Sequence, residues 1–324
     1  MRIPGLYSGG LITNYYCTSK CSHCLYGCSP SWEKKYISKS IATKNLKIIL
    51  EKGCSSVHIG GGEPMLNIDG LSDVLEVANQ AGIHIDYVET NSSWFIDEDS
   101  AIGILKKLRN RGLNTLLISI SPFHTERIPF YKVKGVLTAC RKAGISIFPW
   151  IEEFYYEIDR LDDHKTHSLE EFTELFGEDY LKNIPLRYWI HFGGRALKTY
   201  AKYLPLKPLE EILISNDRCI ELTDTSHFHI DLFGNYIPGL CSGLAIHTED
   251  LHDELNKETY PVINLLYEKG IKGFHDMAVS DYSFKHNDSY LSKCHLCFDI
   301  RRYLVLQKGI KSSELEPVDF YSQV

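Results

Sequence analysis

The sequence predicts an α/β protein: a partial (β/α)6 TIM-like barrel followed by a smaller C-terminal domain. Three observations carry this expectation. Over the first 200 residues, six short apolar runs alternate with longer stretches at helical spacing, which calls for parallel strands joined by right-handed crossovers. The runs lack the strict apolar/polar alternation of half-exposed strands, as expected where both sheet faces are covered. The pattern then stops near Leu204, and cysteines replace it. At 324 residues, the chain is longer than one typical domain. An open doubly wound sheet is the alternative architecture.

The elements follow in order. Residues 11–16 read as the first strand, and a cysteine-bearing loop leads to a helix over 42–51. Residues 56–59 form the second strand, broken by Gly60, Gly61 and Gly62. Leu71, Val74, Leu75 and Ala78 then share one face of a helix over 71–81, since positions i, i+3, i+4 and i+7 coincide at 3.6 residues per turn. The third strand covers 83–88. Asp97, Glu98 and Asp99 open the next helix with acids at its positive end, and Arg109 and Arg111 close it at its negative end. The fourth strand spans 116–120, and a helix over 131–143 stops at Gly144. Strands five and six are expected at 145–150 and 186–191. The domain limits are 1–204 for the barrel and 205–311 for the second domain, with an acidic tail over 312–324. The second domain holds a hairpin over 227–236 and a helix near 262–269.

Composition narrows the function classes. Hydrophobic residues make up 44% and charged residues 24%, the balance of a soluble globular protein. The net charge of −7 and the lack of a basic patch argue against nucleic-acid binding. No apolar run approaches the ~18 residues of a membrane helix, and the first residues lack the apolar centre of a signal peptide. A cytoplasmic, non-membrane protein is expected.

The ten cysteines point to chemistry. In a cytosolic chain, clustered cysteines indicate metal or redox function rather than disulfides. The first cluster is Cys17-x3-Cys21-x2-Cys24, with Cys28 beyond it. Thiolates select zinc, copper(I) or iron–sulfur. Zinc would need a fourth ligand, which Cys28 or His23 could supply; a cubane held by three cysteines leaves one iron open. Gly60-Gly61-Gly62-Glu63-Pro64 follows strand two at the same rim, and glycines there allow a ligand close approach to the backbone.

This combination resembles the radical S-adenosylmethionine (SAM) superfamily, whose signature is Cys-x3-Cys-x2-Cys followed by Gly-Gly-Glu-Pro. Glu89-Thr90-Asn91 after strand three, Ser119 with Ser121 and His124 after strand four, and Gly193-Gly194-Arg195 after strand six match further family elements in order. The resemblance implies that Cys17, Cys21 and Cys24 ligate a 4Fe–4S cluster whose open iron binds SAM. It also implies reductive cleavage of SAM to methionine and a 5′-deoxyadenosyl radical that removes a hydrogen atom from substrate carbon. Gly61, Gly62, Glu63 and Pro64 would serve the methionyl group, Ser119 the carboxylate or ribose, Asn91 the ribose, and Gly193 with Arg195 the adenine. An electron donor such as flavodoxin or ferredoxin is implied.

Cys219, Cys241, Cys294 and Cys297 suffice for a second 4Fe–4S or zinc site. Their arrangement resembles the auxiliary-cluster extensions called SPASM and twitch domains and favours one auxiliary cluster. Finally, the run from Cys17 to Cys28-Ser29-Pro30 is similar to that of the epipeptide epimerases, which invert residues in ribosomal peptides and return a hydrogen atom from a C-terminal cysteine. Cys241 resembles that cysteine, and Cys28 is a second candidate donor. The expected substrate is a ribosomal peptide, undergoing epimerisation or cross-linking and presented by a separate recognition protein. A small metabolite is the alternative, and a non-catalytic zinc or electron-transfer protein is the alternative of another class. The acidic aromatic run 152–157 is expected as a solvated loop at the rim.

Overall fold

A computed structural model describes residues 1–148, 152–215 and 218–324. The architecture is α/β around one mainly parallel sheet. Strands β1 (Gly9–Ile12), β2 (Ser56–Gly60), β3 (His84–Thr90), β4 (Thr115–Ile118) and β5 (Ser146–Phe148) pair in sequential order, all parallel. The expected end of strand five at Pro149 and Trp150 lies outside the described residues.

Between the strands run α1 (Lys39–Glu51), α2 (Ile68–Ala81), α3 (Glu98–Arg109) and α4 (Phe130–Ala143). Each begins or ends on a recognisable signal. The Ser38 hydroxyl accepts from the Ile41 amide, and the Asn67 and Asp97 side chains accept from Gly70 and Ser100. Each thereby satisfies an amide that the first helical turn leaves unpaired. Gly144 closes α4 in the left-handed conformation, φ 69°, which a side chain would strain.

The sixth strand differs from expectation. Residues 186–191 form no strand: Tyr180–Arg187 is helical, and Leu186 and Trp189 are 84% and 66% exposed. Their apolar character therefore serves a surface, not a sheet core. The sixth parallel strand comes instead from β6 (Phe228–Asp231), which pairs with the opposite edge of β1. Gly234, at φ 82°, turns β6 into the antiparallel β7 (Asn235–Ile237), followed by β8 (Ile246–His247). The sheet thus continues across the boundary expected at residue 204, because the hairpin completes the barrel sheet and does not start a separate one. The run 152–157 is also helical, within Glu152–Ile158; Phe154 is buried and Glu157 accepts from Arg187 and Tyr180.

Beyond the sheet, α5 (Pro261–Tyr282), kinked at Gly270, packs on α6 (Lys293–Leu306). The segment 312–324 is packed rather than a loose tail, since Leu315, Phe320 and Tyr321 bury their side chains. Glu314 caps α5: its carboxylate accepts from the Val262 and Ile263 amides, both at 2.8 Å. Glu314→Ala leaves both amides buried without a partner. A stability loss of about 2 kcal/mol is expected, read as a lower urea midpoint at unchanged slope. Among the described residues no helix is long and apolar enough to cross a membrane.

Candidate active site

The loop leaving β1 carries the first cysteines, and three features hold it. The Cys17 amide donates to Ser29 O, closing the loop's base. The glycine run after β2 zips onto the same segment: Gly62 N donates to Asn14 O at 2.7 Å and Glu63 N to Tyr16 O at 3.2 Å. A Cβ at Gly62 would collide with the Tyr16 carbonyl, so backbone pairs with backbone only because this residue has no side chain. Arg195 forms the third clamp. Its Nε donates to Cys21 O (2.9 Å), Nη2 to Cys28 O (2.7 Å) and Nη1 to Gln323 O (3.3 Å).

Cys17, Cys21, Cys24 and Cys28 all line one cavity of 260 Å³, together with Gly61, Gly62, Asn91, Ser119, His23, His124 and Arg195. The Asn91 amide donates to Cys17 Sγ at 3.2 Å, and Ser19 N to the same sulfur at 3.3 Å. Such N–H···S contacts favour a thiolate. Burial, with Cys21 and Glu63 nearby, raises Cys17 well above its usual value, and burial pushes Cys21 up to about 12. By contrast a hydrogen bond from Cys28 holds Cys24 down at about 6, with Cys28 correspondingly raised. A metal held there would supply the driving force to deprotonate the raised pair. His23 stacks on Phe123, with centroids 4.5 Å apart, and its Nδ1 is buried without a partner.

Three residues expected to serve the cofactor lie outside the first cavity. Glu63 and Pro64 do not border the cavity. The Glu63 carboxylate is fully buried and accepts from Met65 N, Thr90 Oγ1 and Asn91 N, tying the glycine rim to the end of β3. Gly193 borders the second cavity instead. Arg195 does line the first, but its guanidinium is committed to backbone carbonyls. Ser121 does not line the cavity; its hydroxyl is bonded to His124 Nδ1 at 2.7 Å.

The second cavity, of 60 Å³, brings together Cys219, Cys241, Cys294 and Cys297 with Lys293, Arg301 and the 191–194 segment. Burial pushes Cys219 up to about 12, and the neighbouring Cys297 and Cys294 thiols add to the shift. Cys241 is raised by burial and then by Cys294. Arg301 is buried, donates to Ser242 O at 2.8 Å, and keeps its Nε buried without a partner. A buried cation with a spare donor beside four thiols suits an anionic sulfur-bound group. Cys241 therefore lies with the other three cysteines, not in the first cavity, whereas Cys28 lies in the first.

Several site residues were not singled out from sequence. His58, Tyr26, His227 and His229 gather at the barrel floor, and the i, i+2 pattern of His227 and His229 was the available signal, because alternate strand residues share a face.

The chain resembles several known proteins. The Radical SAM superfamily profile matches residues 11–152. GTP 3′,8-cyclase of Listeria welshimeri is 24% identical over 202 residues, 60% of this chain and 57% of that enzyme. The Sulfurovum enzyme of the same name is 23% identical over 207 residues, 55% of this chain and 62% of that enzyme. The chain thus spans under two thirds of the length of these relatives. Among solved structures, anSMEcpe with bound AdoMet aligns over 93% of this chain and 98% of its own at 14% identity and a TM-score of 0.45. Streptococcus suis SuiB bound to the precursor peptide SuiA aligns over 98% and 76% at 13% identity and a TM-score of 0.34. The cysteine loop, the glycine rim and the ends of β3 and β4 all fall inside the segment that the Radical SAM superfamily profile matches.

Proposed function

We propose that this protein is a radical SAM enzyme that removes a hydrogen atom from a carbon of a ribosomal peptide, leading to epimerisation or cross-linking. Cys17, Cys21 and Cys24 would hold the 4Fe–4S cluster, and Gly61, Gly62, Asn91 and Ser119 line the space that SAM would take. When bound, cluster and SAM together supply a 5′-deoxyadenosyl radical. The chain's own part is to bind, orient and exclude water. Cys219, Cys241, Cys294 and Cys297 would hold one auxiliary 4Fe–4S cluster, with Arg301 and Lys293 offsetting its charge. The observation that carries the radical chemistry is the convergence of three cysteines and two rim glycines on one cavity.

Two observations support a peptide. Trp189 lines the cavity and is 66% exposed, with exposed Leu186 nearby in sequence; exposed apolar groups at a cavity mouth suit an extended chain of mixed polarity. The similarity to GTP 3′,8-cyclases favours a small-metabolite reading as the second. Among the described residues lining the cavity, however, Arg195 is the sole arginine or lysine, and its donors are taken. A nucleoside triphosphate would find no free guanidinium or ammonium there.

The grouping of Cys241 with three other cysteines supports its role as a cluster ligand, leaving Cys28 as the thiol placed to return hydrogen. After anaerobic reconstitution, Cys241→Ala is expected to drop iron from about eight to about four per chain, at four irons per cubane. Full iron with SAM cleavage intact, but no solvent deuterium entering the peptide in D2O, would instead make Cys241 the hydrogen donor. Absence of any mass change or deuterium uptake in short ribosomal peptides encoded beside this protein's gene, with 5′-deoxyadenosine still formed, refutes the peptide reading.

A further inference from the structure

We propose that His58, His227 and His229 form a divalent-metal site on the floor of the first cavity, taking one zinc-type ion separate from the iron–sulfur chemistry. Among the described residues these form the group whose three ligating atoms all lie within 4.8 Å of one another.

The sheet register explains how they meet. Gly10 of β1 is in register with His58 of β2 on one side and His229 of β6 on the other. A Cβ at Gly10 would collide with the His58 ring. A residue without a side chain on the middle strand therefore lets imidazoles from the two flanking strands converge above it. His227 lies two residues before His229 and stacks on His58, with centroids 5.3 Å apart and planes at 8°.

The nitrogen spacing suits coordination. His58 Nε2 and His229 Nε2 are 3.0 Å apart, close to the ~3.3 Å separating nitrogens at ~2.0 Å from a tetrahedral zinc. Tyr26 Oη lies 2.7 Å from His229 Nδ1. With Nδ1–H donating to that oxygen, Nε2 keeps its lone pair for the metal, the usual arrangement behind a ligating histidine.

The site is open on one side. His227, His229, Tyr26 and Glu89 line the first cavity, and Glu89 Oε1 stands 3.8 Å from His58 Nε2. A bound ion would present its remaining position to the cavity, where the Glu89 carboxylate, a water or a substrate oxygen can take it. Three imidazoles with an open position suit zinc, and zinc has no redox chemistry to intercept a radical.

The test uses the reconstituted full chain and Zn2+ alone. One equivalent is added anaerobically, loosely held ions are stripped on a chelating resin, and zinc and iron are counted. Zinc K-edge X-ray absorption then identifies the ligands. About one zinc per chain is expected to remain, with imidazole nitrogen and no sulfur in its shell. Retention should fall at least tenfold in His58→Ala and His229→Ala, and about tenfold in affinity in the milder Tyr26→Phe, all with iron unchanged. Zinc bound through sulfur, no retained zinc, or equal retention in the histidine variants overturns the proposal. Should those variants lose iron as well, the Tyr26→Phe result and the wild-type absorption spectrum decide alone.

Discussion

Cys17→Ala is expected to abolish 5′-deoxyadenosine release from SAM under dithionite, a fall of at least ~10³-fold, equivalent to about 4 kcal/mol of barrier. The sulfur of Cys17 accepts from both Asn91 Nδ2 and Ser19 N, so its loss removes a ligand and strands two donors. A cubane with two protein ligands is not retained, and iron should fall from about eight to about four per chain, at four per cubane. Cys54→Ala is the control. That thiol lies away from both cavities, with its single S–H in reach of Tyr7 O and Ser56 O, so the variant should keep full iron and full SAM cleavage. Release that survives in Cys17→Ala would remove the basis for placing the cluster in the first cavity.

Arg195→Met is expected to cost about 3 kcal/mol of stability and to lower iron retention in the first site. Three carbonyls, of Cys21, Cys28 and Gln323, lose a charged donor at once, and bonds to charged groups each contribute about 1.5–3 kcal/mol, not additively. Methionine keeps the length and apolar packing of the stem, which isolates the hydrogen bonds from the volume. Arg195→Lys should recover only part of the loss, because an ammonium cannot reach three diverging carbonyls as the planar fork does. Urea denaturation of the iron-free protein measures the first effect, and iron counting after reconstitution the second. A loss below about 0.5 kcal/mol, the ordinary range for surface positions, would show that the cysteine loop is held by something else.

Much of the barrel was legible in the sequence because its signals are local. The apolar spacing of Leu71, Val74, Leu75 and Ala78, the capping Asp97 and the terminal Gly144 each act within a few residues, and helices formed where they pointed, whereas the first strand lies at Gly9–Ile12 rather than over 11–16. The cysteine loop was legible for the same reason. Strand six was not, because an apolar run at 186–191 looks the same whether it meets a sheet or a cavity mouth. The true sixth strand is chosen by pairing with β1 across the whole chain, a contact that local pattern does not encode. The Glu63 carboxylate was misplaced on similar grounds: the motif places its backbone at the rim, but its side chain turns back to satisfy amides of β3. The three histidines escaped notice because their meeting depends on register across β1; the alternation of His227 and His229 marks a shared face but not the His58 that it meets.

That late pairing has a kinetic consequence. Gly9 of β1 meets Phe228 of β6, more than two hundred positions downstream, so the innermost strand must wait with one row of amides and carbonyls bare until the distal hairpin has arrived. Contacts this remote in sequence slow folding, since the loop they close exacts its entropy first. Meanwhile a naked inner edge invites a neighbouring chain to pair with it. Accumulation in aggregates during rapid synthesis would thus trace to one unfilled berth beside the first strand, not to any weakness of the finished molecule.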